Sequence, residues 1–346
     1  MAIPFSGARC ARDCRGPHGP RKNAIRIVAA LTGLAIAAAL CGAAAAAQGY
    51  PTKPIRFIIP FTPGGNTDVL GRLLGQKLAE AWGQQVVIDN RPGAGGTLGV
   101  DQAAKAPPDG YTIVMGTFGS VLVANSLYKR LDYDPGRDLA PVVLVATPPG
   151  LLVTNPLVPA KNVQDLVAFA RAYPAKLNYA SSGSGTWNHL FGELFNAMAQ
   201  AKIVHVPYKG AAPAVTDLLG GQVQMMFSPF PPALPQVKSG RLRALAVSSA
   251  RRSGLLPEIP TVAESGLPAY AAEGWFAVLA PARTPPAIIT QLNDEMNRAL
   301  KRPEVIAALA ADGAEPAGGT PAALAQSIRE DSAKWAKLIR ELGMSL

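Results

Sequence analysis

Beyond residue 47 the chain has no cysteine: Cys10, Cys14 and Cys41 all precede that point. The remainder therefore has no disulfide, no thiol nucleophile and no thiolate metal site, and its stability must come from packing. Histidine is nearly as scarce there, with only His189 and His205. Two histidines from separate segments do not make a zinc site, so no metal is expected. Nucleotide loops are missing too. No G-x-x-x-x-G-K-[ST] occurs, and the glycines of 93–99 miss the G-x-G-x-x-G spacing, which reads them as a structural turn. The hydrolase elbow G-x-S-x-G is also absent. Basic residues are scattered, with no run that would track a phosphate backbone, which argues against nucleic acid as a partner.

What is present is a long, apolar chain. Its 346 residues suit two domains, and 49% hydrophobic types give enough apolar surface for a substantial core. The first 47 residues read differently from the rest. Arg21, Lys22 and Arg26 precede an apolar run from 27 to 40, and small residues fill 43–47. That is the order of a secretory signal, and the run is too short to span a bilayer. The A-x-A-like pattern predicts cleavage near Ala47 and export to the periplasm; a lipid-anchored Cys41 stays open as the alternative, with Leu40 a poor residue before it. Residues 1–47 hold six Lys/Arg and one acid, so their removal takes the formal charge from +10 to +5.

Short apolar strands then alternate with amphipathic helices. Residues 55–60 read as a buried strand, and 68–82 as a helix whose apolar face is Val69, Leu70, Leu73, Leu74 and Leu78. Strands are expected at 86–88 and 112–115, with helix around 100–105. After a proline-rich region at 148–159 the pattern restarts: helices at 163–172, 189–198 and 213–219, and strands at 177–180, 203–206, 223–227 and 243–248. From Pro285 onward the chain reads as mainly helical. Such alternation points to two α/β lobes, each a mostly parallel sheet flanked by helices. The expected organisation is 1–47 signal, 48–148 first lobe, 149–273 second lobe, and 274–346 returning to the first.

Two glycine turns, each between a strand and a helix, carry the functional reading. The first holds Phe61, Gly64, Gly65, Asn66, Thr67 and Asp68; the second holds Ser181, Ser182, Gly183, Ser184, Gly185, Thr186 and His189. Glycine lets backbone approach a ligand, and the first helical N–H groups have no intrahelical partner. They lie at the positive end of the macrodipole and suit an anion without a Lys or Arg. One such turn per lobe, facing across a cleft, would suit a molecule with two carboxylates, or one carboxylate and another polar end. Asp68 would repel a carboxylate, so it is expected to support the turn or meet a ligand amine. Ser181, Ser182 and Thr186 are candidate donors, unless their hydroxyls satisfy the loop backbone.

These turns sit among further segments: Asp89-Asn90-Arg91-Pro92-Gly93, Pro107-Pro108-Asp109-Gly110-Tyr111-Thr112, Val206-Pro207-Tyr208-Lys209-Gly210-Ala211, and Pro260-Thr261-Val262-Ala263-Glu264-Ser265-Gly266. In that order, across nearly the whole chain after residue 47, they resemble the Bug-type receptors of tripartite tricarboxylate transporters. The resemblance implies a two-lobed periplasmic binding protein, type II-like, that closes on its ligand between the lobes. It implies a non-enzymatic monomer without cofactor, whose partners are a small carboxylated ligand and the transporter's membrane subunits, or a membrane sensor in their place. It also implies that both turns grip carboxylates. Thr117, Tyr208, Lys209 and Phe227 complete the candidate ligand-binding set, Lys209 as a positive wall and Phe227 as a ligand platform or core residue. The chain departs from the family pattern at Asn125-Ser126 before Leu127-Tyr128, and carries bulky Trp187 and Asn188 after the second turn. A secreted hydrolase using Ser182 or Ser184 is the competing class, with His189 too close along the helix to be an obvious base.

Overall fold

The computed structural model describes residues 49–346. The segment expected to be an export signal, with Cys41, lies outside the described residues.

From the first described strand the chain alternates as its periodicity predicts. Strand β1 (Ile55–Ile59) leads into helix α1 (Asn66–Trp82), then β2 (Val86–Asn90), α2 (Thr97–Ala104), β3 (Thr112–Thr117) and β4 (Leu139–Ala146). In β1, Ile55, Phe57, Ile58 and Ile59 are fully buried, as befits a strand covered on both faces. Helix α1 turns Leu70, Leu74 and Leu78 inward together with Gly71 and Gly75. A Cβ on Gly71 would lie 2.3 Å from Ile59 Cδ1, so this glycine sets how closely the helix approaches the sheet. Val69, expected on the buried face, is 52% exposed because it faces the open cleft beside the turn that precedes the helix.

The chain next builds β5 (Leu151–Thr154), α3 (Val163–Ala172), β6 (Asn178–Ser181), α4 (Trp187–Ala199), β7 (Val204–Pro207), α5 (Ala211–Leu219), β8 (Met225–Ser228), α6 (Phe230–Lys238) and β9 (Arg243–Val247). It finishes with β10 (Phe276–Pro281) and helices α7 (Pro286–Ala299), α8 (Pro303–Ala311) and α9 (Pro321–Glu341). Two five-stranded sheets result, ordered β2-β1-β3-β10-β4 and β7-β6-β8-β5-β9. The two orders are the same pattern written twice. In each sheet four strands run one way, and only β10 or β5 runs against them.

The exceptions have a topological cause. Strand β4 ends at the edge where β1 opens into its turn, and β9 ends at the corresponding edge of the second sheet. From there the chain passes straight into the other lobe through 147–150, and back through 248–275. A strand entering a sheet at the edge where its neighbours finish must run antiparallel to them. The two crossings lie side by side: Gly274 N donates to Pro148 O at 2.7 Å, and Pro149 pairs with Glu273 in an antiparallel bridge. Strand β5 thus lies inside the region read as merely proline-rich.

Each lobe has its own apolar core, and a third cluster runs through both. Phe118, beyond β3, meets Phe191 of α4 edge-on at 6.0 Å and Trp335 of α9 at 4.8 Å. The C-terminal helices pack on the first sheet's side, α9 and α7 against β4 and α7 and α8 against α1. No helix among the described residues is long and apolar enough to cross a membrane.

Candidate functional site

The first turn follows β1. Gly64 sits at φ +85°, a conformation glycine adopts without strain, and delivers the chain to the N-cap Gly65. The first helical bond is Val69 N to Gly65 O at 3.0 Å, and Gly65 has no side chain to cap with. The N–H groups of Asn66, Thr67 and Asp68 therefore precede the first i→i−4 bond. Asp68 faces backward. Its Oδ2 accepts from Gly64 N and Arg72 Nε, both at 2.9 Å, and its Oδ1 accepts from Asn90 Nδ2 at 2.8 Å. Burial alone would raise this carboxyl, but the bonds from Arg72, Gly64 and Asn90 outweigh it and hold the group below its ordinary range. Asp68 braces the turn.

The second turn follows β6 and is bonded to itself. Ser181 Oγ lies 2.6 Å from His205 Nε2 and accepts from Gly183 N at 3.1 Å. Thr186 Oγ1 lies 2.6 Å from both Gly183 O and Asn188 Oδ1, which share its one proton. Asn188 in turn donates through Nδ2 to Ser182 Oγ at 2.9 Å. Gly185 N donates to His189 Nδ1 at 3.2 Å, which makes that nitrogen an acceptor. His189 stacks on His205 with centroids 4.0 Å apart, and burial lowers their pKa values to about 4 and about 3, the pair's mutual repulsion adding to the second. Both rings are neutral scaffolding at pH 7. The Ser181–His205 contact lies behind the turn with Ser181 fully buried, so it presents no nucleophile.

Thr186 is the N-cap of α4, yet its hydroxyl makes no cap bond because it is used within the turn. The first intrahelical bond is Leu190 N to Thr186 O at 3.2 Å, so the N–H groups of Trp187, Asn188 and His189 precede it. Two more helices of this lobe begin the same way. The N-caps of α5 and α6, Gly210 and Pro229, also make no side-chain cap bond.

All four helix starts border one cleft of about 760 Å³ between the lobes. Of the residues expected at the site, Phe61, Gly65, Asn66, Thr67, Thr117, Ser182, Thr186 and Lys209 line it. Asp68, Ser181, Gly183, Gly185 and His189 form the layer behind. Tyr208 spends its hydroxyl on Asp217 Oδ2 at 2.7 Å. Phe227, offered as a ligand platform or a core residue, is the latter: it is fully buried and stacks on Tyr270 at 5.8 Å, because its position in β8 turns it into the aromatic core. Sequence reasoning missed Pro229, Pro231, Phe276, Leu309 and Asp312 on the wall. The prolines were findable, since they follow β8 where a third strand–helix turn was due. Asp312 was not: nothing marks a residue at the end of a distant helix.

The wall's chemistry is mixed. Among the described residues that line the cleft, Lys209 is the only base and Asp312 the only acid. Lys209 is exposed, while Asp312 is 6% exposed and accepts from Asn66 Nδ2 at 2.9 Å. Burial pushes the Asp312 carboxyl up to about 6, against the Asn66 bond that favours ionisation. No cluster of three or more metal-ligating side chains occurs among the described residues. The lobes touch through backbone: a Cβ on Gly119 would fall 2.3 Å from Gly185 O, and one on Gly95 would fall 2.9 Å from Ser184 O.

Comparison with known proteins converges on one group. Protein BugT of Bordetella pertussis is 42% identical over 325 residues, 94% of this chain and 99% of that one. Among solved structures, Rpa4515 of R. palustris with adipate superposes with a TM-score of 0.81 at 38% identity, covering 86% of this chain and all of that one. MatC of Rhodopseudomonas palustris with bound malate gives a TM-score of 0.79 at 31% identity, over 84% of this chain and 100% of the other. Residues 70–344 match the model of the tripartite tricarboxylate transporter family receptor. Two matching sheets, a cleft between them and this correspondence agree: the chain belongs to the tripartite tricarboxylate transporter receptor family, whose members bind solutes and are not enzymes.

Proposed function

We propose that this protein captures a small carboxylate in the periplasm and delivers it, as a monomer, to the membrane subunits of a tripartite transporter. One observation carries the reading: helix starts without side-chain caps, α1 from one lobe and α4 from the other, border the same cleft. In it the carboxylate lies on the second lobe, on the N–H groups of Trp187 and Asn188, with Ser182, Thr186 and Lys209 around it. Gly65, Asn66 and Thr67 meet the other polar end, and Phe61 and Thr117 close the wall. Asp68, Ser181, Gly183, Gly185, His189 and Tyr208 hold these groups in place, and Phe227 packs beneath them.

The energies suffice. A helix start contributes about 0.3–1 kcal/mol to a nearby anion, and a hydrogen bond to a charged group roughly 1.5–3 kcal/mol. Several together, less the cost of ordering, reach the roughly 8 kcal/mol of micromolar binding. The adipate and malate bound by the relatives above favour the same ligand class. The test is a thermal-shift screen of mono-, di- and tricarboxylates followed by calorimetry. At least one acid should raise Tm and bind one-to-one without being consumed. No response to any of them would refute the reading.

A further inference from the structure

Asp312 is an odd neighbour for an anion site. It follows α8 in the first lobe, beside the turn that holds Asn66. Its Oδ2 is paired with Asn66, but its Oδ1 is buried with no hydrogen-bond partner. The Phe230 N–H at the start of α6 is near enough to favour the ionised form, yet closes no aligned bond to that oxygen. Near neutral pH the group is largely ionised, with one oxygen unsatisfied in a dry place. Such an oxygen is costly, and native proteins keep few of them without a use.

The two walls are also unequal. The second lobe presents the starts of α4, α5 and α6, with Lys209 beside them. The first lobe presents one helix start, and there Asp312 opposes it. A second carboxylate on that side would meet a like charge, whereas an N–H donor would meet an opposite one. Asp68 is no rival for this role, since both of its oxygens are already bonded. Phe61, Leu70, Phe276 and Leu309 of the first lobe add apolar surface to the cleft for the ligand's hydrocarbon part.

We propose that Asp312 selects the ligand by its charge: the cleft takes a molecule with a carboxylate for the second lobe and an N–H donor, ammonium or primary amide, at its far end, which faces Asp312. The selection rests on the carboxylate-receptor reading above and narrows it.

Matched six-carbon acids differing at one end test this by calorimetry on the purified protein at pH 7.5. The probes are adipate, adipic monoamide and 6-aminohexanoate, each against wild type and Asp312→Asn. Both donor-ended probes should bind wild type at least tenfold more tightly than adipate. Asp312→Asn should weaken 6-aminohexanoate at least tenfold and narrow its lead over adipate. The wild-type ranking stands alone if the variant fails to fold. Adipate binding as tightly as the donor-ended probes, or more tightly, overturns the selection and leaves a carboxylate receptor standing. Binding of none of the three, while another carboxylate binds, also overturns the selection alone; silence across every carboxylate tried overturns both.

Discussion

Gly119 offers a way to separate closure from folding. It lies just beyond β3 in the first lobe, and a methyl group there would sit 2.3 Å from Gly185 O in the second. Ordinary contact begins near 3.4 Å, so the lobes would have to part by about 1 Å at a point where both sides are backbone. Gly119 does not need a positive φ, so alanine adds no backbone strain, and the effect is purely steric. Overpacking of this kind costs about 1–3 kcal/mol. Here the cost falls on the closed arrangement alone, so it appears in affinity as a loss of about 5- to 150-fold, at 1.4 kcal/mol per tenfold. Calorimetry with whichever acid the screen selects measures it. The ligand-free unfolding midpoint in urea should move much less. Gly119→Ala with unchanged affinity would refute the claim that ligand is held between closed lobes; a protein that no longer folds would refute the claim that the clash belongs to closure.

Three further outcomes follow from the site. Thr186→Val keeps the shape but removes one donor from Gly183 O and Asn188 Oδ1, which retain bonds from Ser181 Oγ and Ser182 N, so it should cost about 0.5–1.5 kcal/mol and weaken carboxylate binding several-fold. Unchanged affinity would place that turn outside the site. The pH dependence of stability has two opposed parts. His189, lowered to about 4 from an unfolded 6.5, contributes about 3 kcal/mol that is complete above pH 6.5 and lost as pH falls toward 4; His205, more exposed, adds a smaller screened share. Asp312, raised to about 6, works the other way, adding stability as pH falls from 6 toward 4. Urea unfolding of Asp312→Asn should therefore show a steeper loss between pH 6.5 and 4.5 than wild type, and equal slopes would contradict the assignment. Finally, Phe191→Ala removes a ring that packs on Phe118, Phe227 and Trp335, and should cost about 3–5 kcal/mol, read as a fall in the urea midpoint.

The parts legible in the sequence were those set by local physics. Periodicity found α1, α3 and the strands β1, β6 and β9, because each buries a face that repeats with its own geometry. The turns before Asn66 and Trp187 were found because glycine clusters between a strand and a helix are local turn signals, and because two of them fall at corresponding places. Strands β4, β5 and β10 were passed over, being short apolar runs that lie among prolines or pair with distant partners. Phe227 and Val69 show the finer limit: each was placed on the correct element, and the packing of its neighbours decided which way it faced. Asp312 lies 246 residues from Asn66, and only the folded chain brings them together.

The central claim is that the ligand lies between two opposed helix starts, with its carboxylate on the backbone amides of the second. An amide-resolved NMR titration of the ¹⁵N-labelled protein with a bound carboxylate addresses it directly. The N–H resonances of Asn66, Thr67, Trp187 and Asn188 should shift together and saturate at one equivalent. Large shifts confined to other segments, with these four amides still, would contradict it.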